Sequence, residues 1–221
     1  MEVSVMDLKG PSSDQVQARF SLSSPFVANK MVNELMRLLP DPRVPIVVVC
    51  IGTDRSTGDS LGPLTGTLLK ERRPGHLHVY GTLEEPVHGK NLEQYLALIH
   101  VNHPDAFIVA VDACLGRATS IGNIVIGEGP LKPGAAMNKD LPATGNIHIA
   151  GIVNVGGMME FLVLQNTRLH LVFSMARKLS ETLKRVDREV MRRKEEAPVY
   201  SDTVIFPKAF NEKKSRENIR N

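Results

Sequence analysis

Hydrophobic positions along the chain follow two periods. Val44 to Ile51 (VPIVVVCI), Ala106 to Val111 (AFIVAV) and Ile147 to Val155 (IHIAGIVNV) are apolar runs of strand length, the pattern of parallel strands buried on both faces. His76 to Tyr80 alternates and predicts another strand, and Ile121 to Ile126 (IGNIVI) predicts a short one. Between them apolar residues recur at helical spacing. Phe26, Val27, Met31, Leu35, Leu38 and Leu39 form one stripe, with Ser24 as its N-cap, Pro25 at the first helical position and Pro40 as its stop. Leu61, Leu64, Leu68 and Leu69 predict a helix from about 60 to 72, ended by Pro74-Gly75, and a further helix is predicted from Asn91 to about His100. After Gly156-Gly157 a stripe through Leu164, Leu171, Val172, Met175, Leu179, Leu183, Val186 and Val190 predicts one helix of more than 30 residues. Its end overhangs so small a domain, which predicts a contact with another subunit and hence a homo-oligomer.

Strands alternating with helices predict an α/β fold with a mostly parallel central sheet and helices on both faces, a three-layer α/β/α arrangement. Three segments follow. Residues 1–43 are a tail and a helix, with 1–23 polar and loosely ordered. Residues 44–183 are the α/β/α domain, and 184–221 are a basic helix end and C-terminal tail. Gly127 to Gly145, rich in Gly, Pro and Ala, reads as a long functional or mobile loop.

Composition narrows this picture only slightly. Of 221 residues 42% are hydrophobic and 23% charged, ordinary for a globular chain. No apolar run reaches the roughly 20 residues that span a bilayer, and MEVSVMDLKG at the start lacks the apolar centre of a signal peptide. Cys50 and Cys114 are too few for a disulfide framework and fit a reducing compartment. The expectation is a cytoplasmic protein without a membrane partner. From Lys184 to Asn221 there are 11 Lys and Arg against 7 Asp and Glu, so this end carries +4 of the net +3. The mixed signs favour a solvated helix end over a nucleic-acid site.

Candidate chemistry lies just past two of the apolar runs. Gly52-Thr-Asp-Arg-Ser-Thr-Gly-Asp59-Ser-Leu-Gly-Pro63 follows the first, and Asp112-Ala-Cys-Leu-Gly-Arg117 follows the second. Open α/β sheets place their sites at the carboxyl ends of strands. Asp59 alone reads first as a helix N-cap; an acid directly after a buried strand such as Asp112 is costly unless it is paired or working. Two neighbouring carboxylates cannot both ionise cheaply, so one keeps a proton and the pair can serve as acid and base on a water and a carbonyl. The same pair could instead hold a divalent cation with Glu84, Glu85, Asp54 or a histidine, giving Asp59, Asp112 and Glu84 as the alternative metal set. No HExxH or paired CxxC is present, so no metal or other cofactor is assigned. Ser56 and Ser60 lack a nucleophile elbow, Cys50 and Cys114 read as packing, and the glycine spacing fits neither nucleotide-binding fingerprint. His88 and His148 stand where they could face the site.

These motifs resemble those of the bacterial spore germination protease, and more closely the smaller YyaC-type sporulation proteins related to it. Thr57-Gly-Asp-Ser-Leu-Gly-Pro63 is similar to that protease's T-P-D-A-L-G-P, Asp112-Ala-Cys-Leu-Gly-Arg117 to its D-A-L-A-S-R, and Lys132-Pro-Gly-Ala-Ala-Met-Asn-Lys139 to its H-P-G-x-G-V-G-N-K. The resemblance covers about residues 44–160. It implies an atypical aspartic endopeptidase with Asp59 and Asp112 catalytic, supported by Arg117, Asn138, Lys139, Glu84 and His88. It also implies a three-layer fold shared with hydrogenase-maturation endopeptidases, which recognise a bound nickel. The implied substrates are proteins or peptides, small acid-soluble spore proteins among them, in the forespore or spore core. Gly58 replaces the proline before the first acid and Lys132 the histidine of the later segment. Two other readings stay open: a metal-binding maturation-type endopeptidase, and an inactive adaptor of spore assembly.

Overall fold

The structure, a computed structural model, describes residues 17–133, 141–157 and 159–196. The strands are β1 (Gln17–Ser21), β2 (Ile46–Cys50), β3 (Leu77–Tyr80), β4 (Phe107–Gly116), β5 (Asn123–Glu128) and β6 (Ile147–Val155). The helices are α1 (Val27–Leu38), α2 (Leu61–Glu71), α3 (Leu92–Asn102), α4 (Glu160–Gln165) and α5 (Leu169–Glu196), with single 3-10 turns at Gly58–Ser60 and Ala118–Ser120. They form one six-stranded sheet in the order β1-β5-β6-β4-β2-β3. The β3, β2, β4 and β6 strands are parallel, whereas β5 runs antiparallel to β6 and to β1. This is the mostly parallel α/β sheet that the apolar runs predict.

Alternation along the strands sorts side chains between two cores. Ile46, Val48, Val109, Val111, Ile147 and Ile149 pack under α1, α2 and α5. Val47, Val49, Ile51 and Ala110 pack under Leu92 and Ile99 of α3. Each fully buried Ile or Leu contributes about 1.5–3 kcal/mol, so the continuous apolar runs hold both outer layers on one sheet.

Four elements differ from the pattern-based expectation. The polar start contains a strand, because Phe20 and Leu22 pack on the core while Gln17 and Arg19 alternate outward. The first helix begins at Val27, capped by Phe26 at φ 56°; Ser24 instead closes a turn, its N–H donating to Ser21 O. The second acid-bearing strand does not stop at Val111. It continues to Gly116 because β6 is long enough to keep pairing with it. The predicted long terminal helix is two helices. At the break Thr167 Oγ1 donates to Val163 O and accepts from Asn154 Nδ2, tying the turn to β6. Among the described residues no helix is long and apolar enough to cross a membrane.

Candidate active site

The connections after β2 and β4 leave in opposite directions. β2 leads through α2 to β3 at one edge, while β4 leads toward β5 on the other side. Such a switch point opens a crevice beyond the carboxyl ends of the two adjacent strands. Asp59 and Asp112 both belong to it.

Asp112 is placed by register. Cys50, the last residue of β2, lies opposite Val111, and Ile51 N–H donates to Val111 O at 2.7 Å. β2 ends there, and β4 runs on beside β6 with Asp112 opposite Ala150. Asp112 therefore falls one residue beyond its neighbour's last ladder position, on the α3 face with Ala110. It is 8% exposed, and its Oδ1 accepts the N–H of Ala113 at 2.7 Å. Burial, and then the negative charge of Asp59, push its carboxyl well above the usual carboxylate range, against the smaller effect of the Ala113 bond.

Asp59 is placed by the turn. Thr53 N–H donates to Asp59 O at 3.2 Å, closing the loop back onto itself. Gly52, at φ 141°, lies so close to Asp59 O that a Cβ there would overlap it; a Cβ on Gly62 would overlap Ile51 O. Only glycine permits these two approaches. Leu61, two residues past Asp59, is fully buried against Gly151 of β6 and anchors the turn. The Asp59 side chain is half-buried and reachable by water, unlike Asp112.

The other named residues lie at varied positions. Val87 pairs with Ile51 as a parallel bridge and its carbonyl accepts Gly52 N–H at 2.8 Å, which brings His88 beside the β2 exit. His88 N–H donates to Asn91 Oδ1, and His88 Nδ1 accepts from Lys90 N–H. Glu84 is exposed in the turn closed by Thr82 N–H on Glu85 O. Arg117 is exposed at the end of β4, five residues and roughly 16 Å of strand beyond Asp112. Asn138 and Lys139 lie outside the described residues, as does most of the segment resembling H-P-G-x-G-V-G-N-K.

Two further groups bear on the chemistry. Cys50 and Cys114 are each pushed up to about 12, first by burial, so neither supplies a thiolate at neutral pH. Ser56, in the loop before Asp59, is buried, and its Oγ has no hydrogen-bond partner among the described residues. Its sequence context gave no reason to single it out. Among the described residues no three His, Cys, Asp or Glu side chains gather in a group that could hold a metal ion, so Asp59, Asp112 and Glu84 do not form the alternative set.

The family described as "Protein of unknown function (DUF1256)" matches residues 19–182, a span containing both aspartates. The chain belongs to that family. It is 57% identical over 155 residues to "Uncharacterized protein YyaC" of Bacillus subtilis (strain 168), covering 70% of this chain and 76% of that protein. Among solved structures it is similar to the NiFe hydrogenase maturation protease HycI from Thermococcus kodakarensis KOD1. That match has 21% identity and a TM-score of 0.47, over 66% of this chain and 93% of the other.

Proposed function

We propose that this protein is an aspartic-type endopeptidase of sporulation, in which Asp59 and Asp112 activate a water against a peptide carbonyl. The observation that carries the reading is the asymmetry of the pair. Asp112 is buried, and burial and then the Asp59 charge push its carboxyl well above the usual carboxylate range, while Asp59 stands half-exposed on the adjoining turn. In this scheme water is the nucleophile. The Asp59 carboxylate removes its proton as it attacks, and Asp112 donates its proton toward the carbonyl oxygen as the tetrahedral intermediate forms. No covalent enzyme intermediate is needed, and each proton transfer contributes about 10²–10⁴-fold. On collapse Asp59 passes the proton it took from water to the leaving amine, and Asp112 recovers its own from the diol hydroxyl as the carboxyl product forms.

The sporulation context and the substrate class rest on the resemblance of the two acid motifs to the germination protease. Small acid-soluble spore proteins are the proposed substrates, and the forespore or spore core the proposed compartment. Arg117, His88 and Glu84 are proposed to contact the substrate chain on either side of the scissile bond.

The test is cleavage of a purified small acid-soluble spore protein by wild type and by Asp112→Asn, with and without chelator. Cleavage by wild type alone, indifferent to chelator, supports the reading. Cleavage retained in Asp112→Asn overturns the mechanism, and cleavage abolished by chelator transfers the chemistry to a metal.

A further inference from the structure

The outward face of α5 changes character along its length. Successive positions on one stripe are Leu169, Phe173, Arg177, Glu181, Lys184 or Arg185, Arg188 and Arg192. A surface helix normally keeps such a stripe polar throughout, and from Arg177 onward α5 does. Its first two turns do not: Leu169 is 60% exposed and Phe173 44%. The neighbouring α4 shows the same reversal, with Met159 67%, Phe161 55% and Leu162 43% exposed, and Val155 at the end of β6 is 38% exposed. Six of the large apolar residues that the molecule leaves open to solvent thus lie within residues 155–173.

We propose that this face is covered by a second copy of the same chain. The exposed fractions of these six amount together to about three whole side chains, or roughly 500 Å² of apolar surface, near the upper end of what a monomer carries. A stable interface covers about 800 Å² per partner, and in homodimers about 65% of it is apolar, again roughly 500 Å². The area therefore matches one side of a two-fold homodimer, without any further apolar surface. The inference is independent of the peptidase reading, but it touches the same region. Leu164 and Thr167, on the inner side of α4 and the following turn, pack where a Cβ of Gly58 would stand, so a copy seated on α4 borders the crevice beside Asp59.

Light scattering of the full chain after size exclusion tests this. Wild type is expected at twice the 24.3 kDa chain mass, and Phe161→Ser with Leu169→Ser at the single mass. Far-UV circular dichroism should be unchanged, since both side chains are exposed. Phe161→Glu alone is the second variant, and it should raise the dissociation constant at least tenfold. The control is Leu98→Ser with Val101→Ser, the exposed apolar pair on α3, which should remain dimeric. A monomeric wild type overturns the proposal and leaves this face to another occupant, such as an apolar substrate segment. A dimer that survives in both folded α4–α5 variants overturns it equally.

Discussion

Two aspartates of this protein are buried at opposite ends of the sheet, and their surroundings could hardly differ more. Asp187 of α5 is 1% exposed at the amino end of β3. Its oxygens accept N–H bonds from Gly75, His76 and Leu77 at 2.8–3.1 Å and from Lys184 Nζ at 2.8 Å. Burial works against its charge, but the Lys184 ammonium and the three backbone donors outweigh it and hold the carboxyl below the usual range. Asp112, at the carboxyl end of β4, accepts the N–H of the next residue and faces another acid instead of a base. Its carboxyl is pushed the other way. Burial alone therefore does not distinguish structure from chemistry. The groups around each carboxyl do: one ringed by four donors fastens a helix to a strand, and one set beside another acid holds its proton more tightly.

The sharpest way to break this contrast is by function. Asp59→Asn and Asp112→Asn should each lower peptide cleavage by about 10²–10⁴-fold, while Asp187→Asn should leave cleavage per folded molecule unchanged. An equal loss in all three would mean that the carboxyl end has no special role.

Stability should show the reverse ranking. Removing Asp187 leaves three backbone N–H groups without their acceptor and takes from Lys184 its counter-charge, leaving it only Arg73 O, so Asp187→Ala should cost about 3–5 kcal/mol in urea unfolding. Asp112→Asn removes a carboxyl whose ionisation the fold disfavours, and should be neutral or stabilising at neutral pH. A larger loss at Asp112 than at Asp187 would invert the account.

The pH dependence of these differences carries opposite signs. For Asp112 the folded pKa is raised, so above about pH 4 the unfolded chain has released a proton that the folded one still holds. Its contribution to stability then falls as pH rises through the folded pKa, and the advantage of Asp112→Asn should grow over that range. For Asp187 the folded pKa is lowered, so its stabilisation is present above about pH 4 and is lost as pH falls through the folded pKa. The deficit of Asp187→Asn should shrink on acidification. Urea midpoints across pH for the three proteins check both slopes.

The smallest effect is expected at Gly75. Its N–H serves Asp187, yet a Cβ there would meet nothing within 4 Å. Gly75→Ala should change stability by no more than about 1 kcal/mol. A larger loss in thermal unfolding would mean that the bond to Asp187 depends on a backbone shape that only glycine gives.

Much of this was legible in the sequence, and the illegible parts share a cause. Strands β2, β3 and β6 and helices α2 and α3 follow from local apolar period, as does the placing of both acids near strand ends. Where the chain's own period was silent or misleading, distant residues decide. Gln17 to Ser21 forms a strand because β5 offers it an edge and the core takes Phe20. Leu164 and Leu171 keep helical spacing across a break that Asn154 helps impose from β6. Asp187 reads as one more charge on a solvated helix, since the backbone donors that define it lie more than 100 residues earlier. The proximity of Asp59 to Asp112 depended on strand order, which no local pattern contains.

The most direct test of the central claim is carbon-13 NMR titration of the aspartate side-chain carboxyls in wild type and in Asp59→Asn. The account expects Asp112 to titrate well above the ordinary carboxylate range, Asp187 below it, and Asp112 alone to move down when Asp59 loses its charge. An Asp112 that titrates like an exposed aspartate, or that ignores Asp59→Asn, would contradict it.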